Sequence, residues 1–460
     1  LQDYPVTIGA TFTILRLPKE QMVPRISDTR VGLFLTPKIV LNPETNEIEQ
    51  TNFVKRWRIE PSDVEAFKRG ELVTPKKPII FYVESTFPPL WKEAMKEGTL
   101  RWNAAFERIG FKDAIQVRDF PTDDPNFDPD NLKYNCIRYV PIATENAMGP
   151  SWADPRTGEI INASVLVWSD VSKLNNNWRF IQTAQVDPLV RAMKLPDTLM
   201  VKSLKYVIAH EIGHTLGFMH NMAASAAIPT DSLRSASFTQ KYGTTASIMD
   251  YARFNYVAQP TDKGVSLTPP ELGVYDNYAI EWGYRVFPNS KSFRDDVKPL
   301  MALVESHAHD PMYRYVLQQS RYRYDPTAIE EDLGDDAVKS STYGLKNLEY
   351  ILSHFDEWIP DGTDGTRKAK LYRQMVSQAY GYARNVYAVI GGIKLNQTTE
   401  SSGIPRYEVM PKEKQRAAAM WLLQEARKFG KRGVESIENR LPQINSHPYK
   451  TLAGGIPEMA

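Results

Sequence analysis

Cysteine is almost absent from this sequence, which narrows the classes of protein it can belong to. The 460 residues include a single cysteine, Cys136, so an internal disulfide is impossible. Charge of one sign is not in excess either. The net charge is +1 and no basic block is present, which argues against a nucleic-acid partner. No apolar run approaches the roughly 20 residues that a membrane-spanning helix needs.

The chain also lacks an initial methionine, because it begins at Leu1, and no signal peptide is recognisable. This start predicts a processed chain or a piece of something longer. The composition, 42% hydrophobic and 24% charged, is that of an ordinary globular protein. The length predicts two to three domains, but neither property predicts an oligomeric state.

Histidine is scarce as well, yet three of the seven histidines fall within eleven positions, in the stretch HEIGHTLGFMH at 210–220. His210 and His214 are four residues apart, so on a helix their rings lie on one face, one turn apart. Two imidazoles placed in this way can bind one zinc ion through nitrogen. Glu211 lies about 100° around the helix, where its carboxylate can deprotonate a water at the metal.

A third histidine completes the pattern after a turn. Gly217 can adopt the left-handed backbone that commonly ends a helix, so the chain can turn back and supply His220 as the third ligand. Three protein ligands leave one position open, which is typical of a catalytic zinc site. The alternative is that these are ordinary surface or core histidines. The helical context, the glycine and the third histidine together favour the metal site.

A second motif, Ser247-Ile248-Met249-Asp250-Tyr251, lies downstream. A methionine beside isoleucine is by itself more typical of core packing. Combined with H-E-x-x-H-x-x-G-x-x-H, it resembles the metzincin zinc peptidases. The resemblance implies that Met249 is the apolar floor below the zinc ligands. It also implies that Tyr251 is a switchable metal ligand that helps to stabilise the oxyanion.

The resemblance covers about residues 76–288. The stretches HEIGHTLGFMHN, GPSWADPRTGEI and EDLGDD are similar to a family of large secreted bacterial zinc metalloproteases of poorly known function. That similarity implies a secreted, periplasmic or cell-surface protein. One position departs from the pattern, because Asn221 follows the third histidine where several metzincin families carry an acidic residue.

The predicted fold class is α+β, with three parts along the chain. Residues 1–75 form a β-rich segment or the end of an upstream domain. Residues 76–288 form a metzincin-like domain with a mixed twisted sheet, an active-site helix and a Met-turn. Residues 289–460 form a mostly helical region, because apolar residues recur there at helical spacing.

Within these parts, several elements are predicted individually. Residues 6–14 alternate in part like a strand, and 171–195 are expected to form a long connection. Asp197 is a plausible N-cap for the active-site helix. Because Pro150 lacks an N–H group, residues 147–153 are expected to form an edge strand, paired with 163–168.

Two acidic stretches have an expected structural role, and a calcium site is the alternative for each. Residues 119–130 have the composition of a solvated loop, and 330–336 precede a helix that their carboxylates can cap. Cys136 lies in a predicted strand and is expected to be a small core residue, not a reactive thiol. His307 and His309 are two apart, cannot share a helical face and are not expected to be ligands.

Two functions are consistent with this sequence. The first is zinc-dependent cleavage of peptides or proteins, as an endopeptidase, with Glu211 as general base. Its substrate would bind as an added strand along 147–153, in contact with Gly149 and Trp152. The second is a secreted binding or assembly protein that keeps a zinc site with little catalysis. The intact Glu211 argues against the second, because a site that only binds has no use for a carboxylate beside the metal.

Overall fold

The computed structural model describes residues 7–10, 12–42, 45–192, 194–290, 292–319, 322–360, 366–399 and 402–432. The strands are β1 (Leu35–Asn42), β2 (Glu47–Val54), β3 (Ile79–Val83), β4 (Ile115–Asp119), β5 (Asn135–Val140), β6 (Ala147–Met148), β7 (Ser151–Ala153), β8 (Ile160–Ala163), β9 (Val165–Trp168), β10 (Ile393–Leu395) and β11 (Tyr407–Val409). The helices are α1 (Val64–Lys68), α2 (Pro89–Leu100), α3 (Asn103–Glu107), α4 (Val171–Thr183), α5 (Asp197–Thr215), α6 (Ala236–Tyr242), α7 (Val274–Tyr284), α8 (Val297–His307), α9 (Ala337–Ser353), α10 (Phe355–Trp358), α11 (Thr366–Tyr387) and α12 (Lys412–Arg432).

A five-stranded mixed sheet forms the centre of the fold, in the order β4-β3-β5-β9-β6. Its first four strands are parallel, whereas β6 is antiparallel to β9 and forms an edge. The apolar side chains of β3 alternate, so Ile79, Phe81 and Val83 are buried. Parallel neighbours need a crossover connection, and α2 and α3 supply it between β3 and β4. This confirms the predicted α+β class with a mixed sheet.

Helix α5 packs against α2 and against the edge of the sheet at β6 and β9. The close approach of the two helices depends on Gly98, because a Cβ added there would lie 2.7 Å from the carbonyl oxygen of Lys205. Leu204, Ile208 and Ile212 recur at helical spacing and are buried. The helix is thereby fixed along one apolar face, and its histidine-bearing face is free to form a site.

The segment before β3 packs around the C-terminal end of α5. The Trp57 indole N–H donates to the carbonyl oxygen of Thr215 at 2.9 Å. The backbone N–H of Phe34 donates to the carbonyl oxygen of Gly217 at 2.8 Å. The N-terminal segment therefore covers the turn that follows the active-site helix.

The C-terminal part is largely helical over its described residues, as predicted, and residues 433–460 lie outside them. Asp336 is the N-cap of helix α9, and its carboxylate accepts a hydrogen bond from the backbone N–H of Lys339 at 3.0 Å. This confirms helix capping for that acidic residue. One continuous buried core includes Leu33, Phe81, Ile212 and Leu371, and thus residues from all three predicted parts. The domain boundaries themselves stay a prediction.

Two predicted elements near the active-site helix are wrong. Residues 171–195 were expected to be a connection, but 171–183 form α4, because burial of Val171, Phe180 and Ile181 outweighs the low helix propensity of its three asparagines. Asp197 is not the N-cap of α5. It is the first residue of the helix, after Pro196, and there its charge favours the helix start.

The strand predicted at 6–14 is also wrong over its described residues. Residues 7–10 and 12–14 form no strand, and Ile8, Phe12 and Ile14 are exposed. An alternating pattern stabilises a strand only when a neighbouring strand and a buried face are present. Val6 and Thr11 lie outside the described residues.

The single edge strand predicted at 147–153 is two short strands. The edge position is confirmed for β6, which pairs with β9. In contrast, β7 pairs with β8 outside the five-stranded sheet, so the predicted continuity is wrong. Gly149 and Pro150 separate the two, because proline cannot donate to a ladder. The predicted partner strand at 163–168 likewise breaks, at Ser164, between β8 and β9.

Candidate active site

Helix α5 and the turn after it bring the three predicted histidines together. Gly217 ends the helix with φ +95°, and its N–H donates to the carbonyl oxygen of His214 at 3.0 Å. A Cβ at this position would lie 2.1 Å from the carbonyl oxygen of Lys55, so only glycine fits. The chain then reverses and places His220 opposite the helix.

The three Nε2 atoms converge on one point. The Nε2 atom of His220 lies 3.3 Å from that of His210 and 3.1 Å from that of His214. A tetrahedral zinc ion with Zn–N distances of about 2.0–2.1 Å separates its ligand nitrogens by roughly 3.3 Å. The spacing therefore fits zinc. Among the described residues, this is the one group of three or more His, Cys, Asp or Glu side chains close enough to share a metal.

The opposite ring nitrogens are all occupied. The Nδ1 atom of His210 lies 2.6 Å from the carbonyl oxygen of Ile248, and that of His214 lies 2.8 Å from the carbonyl oxygen of Phe218. Each Nδ1 must carry the proton to donate to a carbonyl, which leaves Nε2 free to bind a metal. Burial lowers the pKa of His210 well below its usual value and that of His214 to about 4. Both rings are thereby kept neutral, as metal binding requires.

Glu211 is buried beside the triad, and its surroundings affect its charge. Burial raises the pKa of its carboxyl to about 8, opposed by the charge of Arg253 and a hydrogen bond from the Gly149 backbone N–H. The backbones also touch, because a Cβ at position 149 would lie 2.3 Å from the Glu211 carbonyl oxygen. Gly149 is therefore pressed against the active-site helix. Trp152 lies on β7 and is 49% exposed, with no hydrogen bond or ring contact to the triad among the described residues.

The turn at 247–251 lies against the other side of α5. Met249 is buried, and a Cβ added at Gly213 would lie 2.3 Å from its sulfur. Asp276, in the first turn of α7, holds this turn in place. Its carboxylate accepts the Ser247 hydroxyl at 2.6 Å and the Ile248 N–H at 2.9 Å. Because the Ile248 carbonyl oxygen in turn accepts a hydrogen bond from His210 Nδ1, α7 supports this histidine through the turn.

Tyr251 lies against the triad, with its ring centroid 4.3 Å from that of His220. The Arg253 guanidinium lies between two rings, 4.4 Å from the centroid of Tyr251 and 4.0 Å from that of Trp178. Its Nε forms a 3.2 Å ion pair with Glu331. Arg253 and Glu331 both have positive φ, +54° and +58°, which is uncommon for residues other than glycine. Such strain is frequent at functional sites.

The surroundings of Asn221 explain why an amide stands where several metzincin families carry an acidic residue. It is fully buried, its side-chain amide donates to the carbonyl oxygen of Arg314 at 2.9 Å, and its side-chain oxygen accepts the Val316 N–H at 3.3 Å. A carboxylate could accept but not donate, so the amide suits this position. Asn221 thereby joins the end of the zinc motif to a segment almost a hundred residues later.

Several residues at the site are not indicated by any motif, namely Trp178, Arg253, Asp276, Gln318 and Glu330. Gln318 contacts His220 directly, with its Oε1 2.7 Å from Nδ1. No recognised sequence motif relates their positions to those of the three histidines.

The acidic stretches considered for calcium have protein partners. In 330–336, Glu331 pairs with Arg253, the carboxylate of Asp332 accepts the Tyr256 hydroxyl, and that of Asp335 accepts the Thr230 N–H. In 119–130, Asp119 pairs with Lys92 and Asp130 with Arg138. His307 stacks on Tyr313, at 3.9 Å between centroids.

Comparison with known families gives two matches. A family model described as Met-zincin matches residues 192–453, more than half of the chain. A model of a domain of unknown function matches residues 2–62. No curated protein and no solved structure matches. No helix among the described residues is long and apolar enough to cross a membrane.

Proposed function

The chain belongs to the Met-zincin family, which suggests zinc metallopeptidase activity, and from this premise we propose that it is an endopeptidase. The supporting observation is the convergence of the Nε2 atoms of His210, His214 and His220 beside the buried Glu211. The histidines would hold zinc. When bound, zinc would polarise the scissile carbonyl and acidify a water molecule.

Glu211 is the general base in this proposal. The positive charge of a bound zinc ion would lower the pKa of this carboxyl, so that it is ionised and accepts a proton from the attacking water. The carboxyl later delivers that proton to the leaving amine nitrogen. The hydrogen bond from the Gly149 N–H orients the carboxylate, and burial excludes competing solvent. Tyr251, packed on His220, would donate its phenol hydrogen to the oxygen that becomes negative in the transition state. Met249 would support the histidines from the apolar side.

The substrate peptide would lie along the segment that contains β6. As the sheet edge, β6 presents backbone groups on one side for an added strand, and Gly149 directly follows it beside Glu211. Trp152 would contact a side chain of the peptide. A cocrystal structure with a peptide hydroxamate tests this placement. An inhibitor bound away from 147–153 would exclude it.

The decisive test uses two variants. Glu211→Ala should abolish cleavage of a peptide library yet retain one zinc per chain, whereas His214→Ala should lose both. Glu93→Ala, an exposed acid on α2, is the control and should keep wild-type activity. Wild-type cleavage by Glu211→Ala would exclude the mechanism. A wild-type protein that binds zinc and cleaves nothing would favour a binding or assembly role.

We also propose that the protein acts outside the cytoplasm, as secreted, periplasmic or cell-surface protein. The support is the similarity of HEIGHTLGFMHN, GPSWADPRTGEI and EDLGDD to large secreted bacterial metalloproteases. Fractionation of the cells that make it, followed by detection with an antibody, is the test. Recovery from the cytoplasm alone would contradict the proposal.

A further inference from the structure

The three histidines are not held alike. His210 and His214 direct Nδ1 at backbone carbonyl oxygens, whereas His220 directs Nδ1 at a side chain, the Oε1 atom of Gln318 at 2.7 Å. A backbone carbonyl is always an acceptor. A glutamine amide is an acceptor at one end and a donor at the other, so its orientation decides what it offers to the ring.

Glu330 determines that orientation. The Nε2 atom of Gln318 donates to Oε1 of Glu330 at 3.2 Å, and the other oxygen of Glu330 accepts from Arg323 at 3.1 Å. If the amide were reversed, its oxygen would face a carboxylate and its NH₂ would face the ring. The carboxylate disfavours that arrangement, because oxygen would oppose oxygen. The amide oxygen therefore points at His220.

The amide oxygen in turn selects the tautomer of His220. An acceptor 2.7 Å from Nδ1 requires the proton on Nδ1, which leaves the lone pair on Nε2, facing His210 and His214. An isolated ring is free to carry its proton on either nitrogen, and the wrong tautomer presents N–H to the metal. The ring would then have to change tautomer before it could bind zinc.

We propose that Gln318, oriented by Glu330, is a positioning residue that holds His220 in its zinc-binding tautomer and thereby sets zinc affinity. This inference rests on the proposed zinc site. It assigns part of the metal affinity to side chains about a hundred residues beyond the histidine motif. Hydrogen-bond partners of metal-bound histidines typically contribute about 10–100-fold to affinity.

The first test is zinc affinity, measured by competition with a chromophoric chelator on the full chain. We expect Gln318→Leu, which keeps the volume and removes both polar ends, to weaken zinc binding by about 10–100-fold. The matched control is Gln319→Leu. Gln319 lies in the same segment but hydrogen-bonds to the backbone of Asp325 and Ala328, and among the described residues it has no hydrogen bond to the triad. Equal losses in both variants would mean that only the segment's integrity matters, and would overturn the proposal.

A reciprocal exchange separates orientation from packing. In the double variant Gln318→Glu with Glu330→Gln, the acceptor for His220 remains and an amide at position 330 can donate to it. We expect zinc affinity within about threefold of wild type, or tighter, because a carboxylate also orients metal-bound histidine. Glu330→Gln alone should fall between wild type and Gln318→Leu. A double variant as weak as Gln318→Leu would overturn the proposal.

The tautomer can be observed without zinc. With seven histidines in the chain, ¹⁵N-labelled side chains are tractable by long-range nitrogen–proton correlation spectra. We expect His220 in the zinc-free wild type to carry its proton on Nδ1, and in Gln318→Leu to populate the Nε2–H form. Unchanged spectra would overturn the proposal. A wild-type protein with no zinc affinity would instead refute the proposed function, so the two failures are distinguishable.

Discussion

Two parts of the molecule reach the same histidines by different means. Helix α5 and the turn after it supply His210 and His214, whose second nitrogens face backbone carbonyls. Segment 314–336 supplies side chains to the rest of the site, because Gln318 faces His220 and Glu331 pairs with Arg253 over the Tyr251 ring. The first part depends on the course of the backbone. The second depends on individual side chains brought in by the fold.

This difference indicates how each part can fail. No side-chain substitution deletes a carbonyl oxygen, so the α5 part should yield mainly to changes that move its backbone. Segment 314–336 should yield to changes of single polar atoms. The following predictions test that contrast, from the largest expected free energy to the smallest.

Gly217→Ala should have the largest effect, because the added methyl group would displace the backbone of the turn that follows α5. The new methyl would lie 2.1 Å from a carbonyl oxygen at a position with φ +95°. We expect the free energy of unfolding to fall by roughly 3–5 kcal/mol in denaturant titrations. Gly381→Ala in α11, where the nearest atom is 3.8 Å away, is the control and should gain up to about 1 kcal/mol. Equal stability of the two variants would show that the turn is not tight.

Tyr251→Phe should come next and should leave zinc content unchanged. The phenol packs on His220 and is expected to act only in the transition state. We expect kcat to fall by about 10²–10³, equivalent to about 2.7–4 kcal/mol. Tyr387→Phe, at an exposed position of α11, is the control. Steady-state kinetics with metal analysis decide the matter, and activity within a factor of two of wild type would remove the assigned role.

Asn221→Asp tests the hydrogen bonds that connect the α5 part to segment 314–336. The carboxylate would face the carbonyl oxygen of Arg314, where the amide now donates at 2.9 Å. We expect a loss of about 2 kcal/mol in unfolding free energy, with weaker zinc binding as segment 314–336 loosens. Asn126→Asp in an exposed loop should change stability by about 0.5 kcal/mol or less. An Asn221→Asp protein with wild-type stability and zinc affinity would show that these hydrogen bonds are dispensable.

Asp332, within segment 314–336, predicts a pH dependence. Burial raises the pKa of its carboxyl to about 7, against about 3.9 in an unfolded chain. The folded state therefore binds the proton more tightly, so this residue opposes folding increasingly as pH rises from about 4 to about 7. The stability of Asp332→Asn relative to wild type should therefore increase by on the order of 1 kcal/mol between pH 4 and pH 7. A difference that is constant with pH, in unfolding titrations at pH 4 and 7, would contradict this.

The sequence predicts the α5 part well because its determinants are local. The spacing of His210, Glu211 and His214 on a helix, and the turn at Gly217, follow from covalent geometry. The C-terminal helices were predicted for a similar reason, since the period of their apolar residues reflects which face is buried.

The remainder depends on distant partners that no local pattern reveals. Gln318, Glu330 and Asp276 reach the site only because the chain returns there after long excursions. The misassigned residues 171–183 show the same limitation, because α4 is stabilised by packing that outweighs its asparagines. Likewise, residues 6–14 alternate without forming a strand among their described residues.

The lone cysteine has a practical consequence for measuring how the cleft responds to a ligand. Cys136 is fully buried in β5, and burial raises the pKa of its thiol to about 12, so maleimide dyes should not label the native protein. Cysteines introduced by Trp152→Cys and Tyr407→Cys, both at exposed positions, would then be the only thiols to react. A donor dye and an acceptor dye at these two sites would report by single-molecule energy transfer whether the distance between them changes. A shorter distance on inhibitor binding would mean that β7, which carries Trp152, and the β10–β11 pair move closer together.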